Sequence, residues 1–318
     1  MTITFIHHSS FLVELSHMTV LFDYTEGALP DIDPKKPLVI FASHAHGDHF
    51  SPVIFRLLDR AQEVRFVLSD DIPKRKVPEE LLSRTTFVKK DQVCQILGEV
   101  YSHSMHAHAG GADGVWAAAE GSLTVRTFDS TDQGVAFLLN AEGHLLYHAG
   151  DLNDWVWEGE PEEDNRAMHD RYLRDLSDIA KAVQAYDARK RHSGSHAADN
   201  HAADNHAADN HAADSRSLAA DGEAFRTEAF RTETLRTEAF RTEAGQQIEA
   251  AFVPLDPRLE REFSLGIDEF MRIVGAQKVY PMHFWGDFGV TKRFLALPCT
   301  EGYRDRIVDI RRDGERFC

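Results

Sequence analysis

Basic residues are the scarce charge in this chain: its 318 residues carry 35 Lys and Arg against 52 Asp and Glu, a formal net charge of −17. A stable grip on a polyanion needs Lys and Arg to neutralise phosphates, so a nucleic-acid partner is not expected. Cysteine is nearly absent. Cys94, Cys299 and Cys318 are odd in number and far apart, which suits a reducing cytoplasm and not a disulfide framework. No run of about 18 apolar residues occurs, so no membrane span is expected. The opening Met1-Thr2-Ile3-Thr4-Phe5 lacks the basic run and apolar core of a secretory leader. These absences together predict a cytoplasmic protein.

A 42% hydrophobic share is ample for one core. Short apolar runs broken by polar turns predict strands at residues 2–7, 11–15, 19–22, 38–42, 65–69, 123–128, 135–140 and 144–149, the first three forming one sheet. Residues 52–60 have helical character, with Ser51 as N-cap and Pro52 at the first helical position. Leu173, Leu176, Ile179, Ala180 and Val183 recur at helical spacing and predict an amphipathic helix that ends near Arg189-Lys190-Arg191. A strand at 250–253, a helix at 266–274 and a strand at 278–281 follow. Strands alternating with helices predict an α/β sandwich.

Between Lys190 and Gln247 the composition changes. Residues 196–214 repeat His-Ala-Ala-Asp-Asn, and residues 223–242 repeat Glu-Ala-Phe-Arg-Thr with one variant. Five residues advance an α-helix by about 500°, so Phe225, Phe230, Leu235 and Phe240 make no continuous stripe. The expectation is a single domain over residues 1–318 that carries an exposed, partly disordered insertion at 190–247. His196, His201, His206 and His211 have alanine neighbours that fix no ligand geometry.

The densest chemistry is His44-Ala45-His46-Gly47-Asp48-His49, four potential metal ligands in six residues, directly after Leu38-Val39-Ile40-Phe41. Two imidazoles two residues apart can reach one ion from a turn, while Asp48 and His49 serve a second. Imidazole nitrogen with some carboxylate suits zinc and leaves room for water.

This block resembles the His-x-His-x-Asp-His signature of the metallo-β-lactamase superfamily, and is most similar to its small branch that includes ascorbate-phosphate lactonases. The resemblance implies a four-layer αββα sandwich, two divalent metal ions and hydrolysis of a small ester, lactone or phosphoester. It assigns Asp151, in Tyr147-His148-Ala149-Gly150-Asp151, as the bridging carboxylate, and His283, in Pro281-Met282-His283-Phe284, as the last imidazole. Asp48 and Asp151 would hold and orient the attacking water. His8, in the opening His-containing turn, is expected to contact substrate or orient a ligand, and an ordinary strand-end His is the equal alternative.

One departure stands out. The superfamily places a further His before the strand that precedes Gly-Asp, and Asp129-Ser130-Thr131-Asp132-Gln133-Gly134 has none. Asp132 is the expected substitute, and His103, His106 and His108 form a second group one strand earlier. An added carboxylate moves preference from zinc toward manganese or iron. Arg258 could bind an anionic group of a small-molecule substrate through its planar fork, or pair with Asp256 to fix the loop. The competing reading is a metal-retaining binding or scaffold protein whose repeats recruit partners.

Overall fold

The computed structural model describes residues 1–98, 120–195 and 248–318. The repeats, and with them His103, His106 and His108, lie outside the described residues. Two sheets face each other. The first contains β1 (Thr2–His7), β2 (Ser10–Glu14), β3 (Thr19–Phe22), β4 (Leu38–Ala42), β5 (Val64–Ser69) and β6 (Thr85–Val88), in that order, with β13 (Arg316–Phe317) on the β1 edge. The second runs β12 (Ala276–Met282), β11 (Ile248–Pro254), β10 (His144–His148), β9 (Ala136–Ala141), β8 (Leu123–Phe128) and β7 (Val93–Leu97).

Alternation along the strands builds the layers. On β4 all five residues are buried. Val39 and Phe41 join the core between the sheets, while Leu38, Ile40 and Ala42 join a second core on the outer face with Ile54, Phe55 and Leu81. β3 divides the same way, with Val20 and Phe22 inward and Leu21 outward. Strands β3 to β6 are mutually parallel, and a parallel strand covered on both faces reads as a continuous apolar run. The fold is the expected α/β sandwich with helical segments outside each sheet.

The outer layer of the first sheet differs from expectation in kind. Residues 52–56 and 58–60 form two short 3-10 turns, with Ser51 accepting a bond from the Val53 N–H and Pro52 opening the first turn. Strands β6, β7 and β13 were not visible as sequence patterns, because their alternation is short and their burial partial. Outside the second sheet lies α1 (Glu162–Ser195), which starts earlier than expected and continues past Arg191. Its buried stripe is Tyr172, Leu176, Ile179, Ala182, Val183 and Tyr186. Tyr172 takes the place expected for Leu173, because its hydroxyl donates to the Gly266 carbonyl at 2.7 Å while the ring fills the core. α2 (Leu265–Ile273) completes a strand-helix-strand unit between the parallel β11 and β12, with Phe270 stacked on Tyr147 at 5.2 Å. A third helix, α3 (Val290–Leu295), follows β12. No helix among the described residues is long and apolar enough to cross a membrane.

Asp175 sits on α1 beside this stripe. Burial pushes its carboxyl up to about 6, and Asp129 adds to the shift. The ionised form is therefore disfavoured in the fold, and stability is lost as pH rises from the unfolded carboxylate value through about 6. Asp175→Asn should be more stable than the parent at pH 8, by on the order of 1 kcal/mol once the half-exposure of the group is allowed for. Below pH 4 the difference should vanish, as checked by urea unfolding at the two pH values.

Candidate metal centre

The ends of β1, β4, β10 and β12, with the loop between β8 and β9, bring eight ligand-type side chains to one rim. They fall into two groups, in each of which the ligand atoms lie within 4.8 Å of one another: His44, His46, Asp132 and Asp151, and His8, Asp48, His49 and His283. In the first, His44 Nε2 lies 3.1 Å from His46 Nδ1 and 3.3 Å from Asp151 Oδ2, and His46 Nδ1 lies 3.7 Å from Asp132 Oδ2. In the second, Asp48 Oδ2 lies 3.4 Å from His8 Nε2, 3.6 Å from His283 Nε2 and 3.9 Å from His49 Nε2. Asp151 reaches this group too: its Oδ1 is 3.0 Å from His49 Nε2 and 3.5 Å from His283 Nε2.

These atoms converge without satisfying one another. His8 Nε2, His49 Nε2 and Asp151 Oδ1 are buried and make no hydrogen bond, although two of them are 3.0 Å apart. Unpaired buried donors and acceptors cost free energy, and a cation at their common focus would relieve it. Nitrogen and carboxylate donors of this kind fit a divalent transition metal. Both groups therefore fit a metal ion.

Buried acids fix the imidazoles from behind, as hydrogen-bonding carboxylates do for metal-ligating histidines. Asp23, at the end of β3, is fully buried and accepts from the Ser43 N–H at 2.8 Å, the Ser43 hydroxyl at 2.6 Å and His49 Nδ1 at 2.6 Å. His49 thus turns Nε2 toward Asp151. On the other side Asp256 accepts from His283 Nδ1 at 2.9 Å and from Arg258 Nε and Nη2 at 2.9 and 2.5 Å. Burial alone would push the Asp256 carboxyl up, but bonds from His283 and Arg258 bring it down to about 2. Burial likewise opposes ionisation of Asp151 and Asp48, and the surrounding imidazoles outweigh it, holding both carboxyls below the usual range. His49 is raised well above its ordinary value: burial lowers it, and Asp151 and Asp23 overcome that.

Backbone geometry at the rim is as specific. His8 and His283 adopt φ of 51° and 62°, in the left-handed region that non-glycine residues avoid, and the His283 N–H donates to the His8 carbonyl at 3.2 Å. The segment bearing Asp132 is pinned to the His block. A Cβ at Gly134 would come within 2.0 Å of the Ser43 carbonyl oxygen, and the Val135 N–H donates to that same oxygen at 3.0 Å. Thr131 Oγ1 donates to the Asn153 carbonyl at 2.6 Å, and Arg171 on α1 donates to the Ser130 carbonyl.

The sequence profile of the beta-lactamase superfamily domain matches residues 2–166, just over half of the chain. The protein belongs to the metallo-β-lactamase superfamily. Among solved structures, it is similar to a protein from Parabacteroides distasonis named for metal-dependent hydrolysis, at 14% identity and a TM-score of 0.49, covering 96% of this chain and 90% of that one. A metallo hydrolase from Ignicoccus hospitalis is similar at 12% identity and a TM-score of 0.46, covering 99% and 97%. No curated protein matches the chain.

Every metal-ligand position expected from the superfamily signature lies at this rim, and Asp132 stands beside His46. Arg258 is paired with Asp256, the second of the two roles open to it, while its side chain remains 47% exposed and lies over Trp285 at 4.5 Å. The sequence reading missed Asp23, Ser43 and Gly134. Asp23 ends a buried strand that pairs in parallel with the strand that delivers His44, a relation set by the sheet and not by the local sequence. In such sheets ligands gather beyond the carboxyl ends of the strands. Trp155 and Trp285, whose rings lie 5.6 and 5.5 Å from His283, were also missed as walls of the site.

Asp23→Asn should keep the fold and weaken metal binding about 10- to 100-fold, because an uncharged amide with one acceptor oxygen cannot replace both the bond that aims His49 and the two from Ser43. Competition against a chromophoric chelator measures this, and affinity equal to the parent's would show that His49 needs no such support.

Proposed function

We propose that the protein is a metal-dependent hydrolase that holds one divalent cation at each residue group and directs water against a small ester, lactone or phosphoester. The observation that carries this reading is the placement of Asp151, with Oδ2 toward His44 and Oδ1 toward His49 and His283. A carboxylate shared in this way could serve both ligand groups at once, and two cations held there would suit two-metal hydrolysis. When bound, such cations lower the pKa of water and polarise a carbonyl or phosphoryl oxygen.

The chain's own residues then divide the work. Asp48 is the carboxylate that faces the cleft, its side chain 30% exposed against 6% for Asp151. Ionised, it can orient a water and accept its proton. Asp151, closed off from solvent, positions the two ligand groups against each other. Burial lowers the His8 imidazole despite the Asp48 carboxylate 3.4 Å away, which favours a neutral ring at the cleft wall. Arg258 keeps Nη1 unbonded among the described residues and offers a donor edge to an oxyanion at the rim. Zinc is the proposed metal for the nitrogen-rich second group, and Asp132 makes the first group more tolerant of manganese or iron. The free cysteines agree with a cytoplasmic location.

Chelator-stripped protein should hydrolyse no ester, lactone or phosphodiester, and activity should return only as the second equivalent of metal is added. His46→Ala and Asp132→Ala should each retain about one metal per chain and lose at least about 100-fold in rate. Stripped protein that turns over as fast as loaded protein would contradict the reading, as would loaded protein inert toward all three substrate classes.

A further inference from the structure

Beside Asp48 and His8 the cleft opens into a cavity of about 530 Å³. Trp285 and Phe288 form its accessible apolar side, backed by the buried Phe5 and Phe284. Phe284 packs on Phe5 and Phe288 at centroid separations of 5.3 and 5.2 Å, and Trp285, half exposed, closes the wall against His8 at 4.5 Å. Trp285 is one of three exposed large apolar side chains among the described residues. The mouth carries Glu26 and Asp313, which flank His7 at 3.6 and 3.0 Å. No Lys or Arg among the described residues lines the space. The buried His8 Nε2 borders it without a hydrogen-bond partner.

We propose that this cavity receives a positively charged group sheathed in carbon, an alkyl- or arylammonium, carried by the substrate whose scissile bond lies at the two metal-ligand groups. The position of that bond rests on the hydrolase reading, and the binding preference does not. Aromatic faces attract cations. With Asp48 committed to the metal group, the negative charge left to the cavity is that of Glu26 and Asp313, shared with one imidazole. A cation gains from both features, a neutral ring gains only from the aromatic wall, and an anion meets two carboxylates with no basic side chain among the described lining residues to offset them. Arg258 lies against Trp285 and is bound to Asp256, outside the cavity lining.

Three probes of one shape separate these cases: benzyltrimethylammonium, benzyl alcohol and benzenesulfonate, the last a poor metal ligand. Calorimetric titration of the full-length, metal-loaded protein should give the ammonium at least tenfold tighter binding than the alcohol, with the sulfonate weakest. The Glu26→Gln, Asp313→Asn double variant should bring the ammonium down to the alcohol's affinity. High salt should weaken the ammonium toward the same level in the unaltered protein, which removes any dependence on the folding of the variant. Equal affinities for ammonium and alcohol would overturn the proposal, and tighter binding of the sulfonate would show that the cleft reads anions. Binding is read here without turnover, so an inactive protein that still ranks the probes this way refutes the hydrolase reading and leaves this one standing.

Discussion

Three bonds to one buried carboxylate hold the centre of this structure. Asp23 has no exposed surface to speak of, and taking a charge out of water costs several kcal/mol unless the protein replaces the lost solvation. Ser43 and His49 replace it, so the strand that carries Asp23 and the block that carries the ligands cannot be positioned independently. Ser43 passes the constraint on: its hydroxyl lies 3.0 Å from His44 Nδ1, and its carbonyl accepts from Val135. One desolvated acid thereby sets the orientation of two imidazoles and the distance to the loop bearing Asp132.

Asp256 repeats the device from the opposite sheet. It fixes His283 and is neutralised in turn by Arg258, whose guanidinium lies against Trp285. The two sheets thus each contribute an acid, an imidazole and a strand end, and meet where Asp151 stands between the ligand groups. His8 and His283 are held at positive φ by the same junction. Such backbone persists only where surrounding packing and hydrogen bonds over-determine it.

Much of this was legible in the chain. Short apolar runs between polar turns placed β1, β3, β4 and β8 at their observed bounds, and the His44–His49 block announced its chemistry because so few structures call for four ligands in six residues. Gly150 before Asp151 was readable for a similar reason: the turn there takes φ of 55°. What could not be read depended on neighbours distant in sequence. Asp23 and Ser43 are 20 residues apart, and nothing local distinguishes an acid that orients a ligand from one that caps a turn. Gly134 is essential only because another strand's carbonyl occupies the place of its Cβ. Tyr172 and Leu173 are both consistent with a helical stripe, and only the Gly266 carbonyl on α2 selects the tyrosine.

In the proposed centre Asp151 would join two cation sites through its two oxygens. Anomalous diffraction from crystals of the metal-loaded protein, collected on both sides of the metal's absorption edge, tests it most directly. Two peaks should flank the Asp151 carboxylate, one beside His44 and His46 and the other beside His49 and His283. A single peak in the cleft, or two peaks of which neither lies against Asp151, would contradict it.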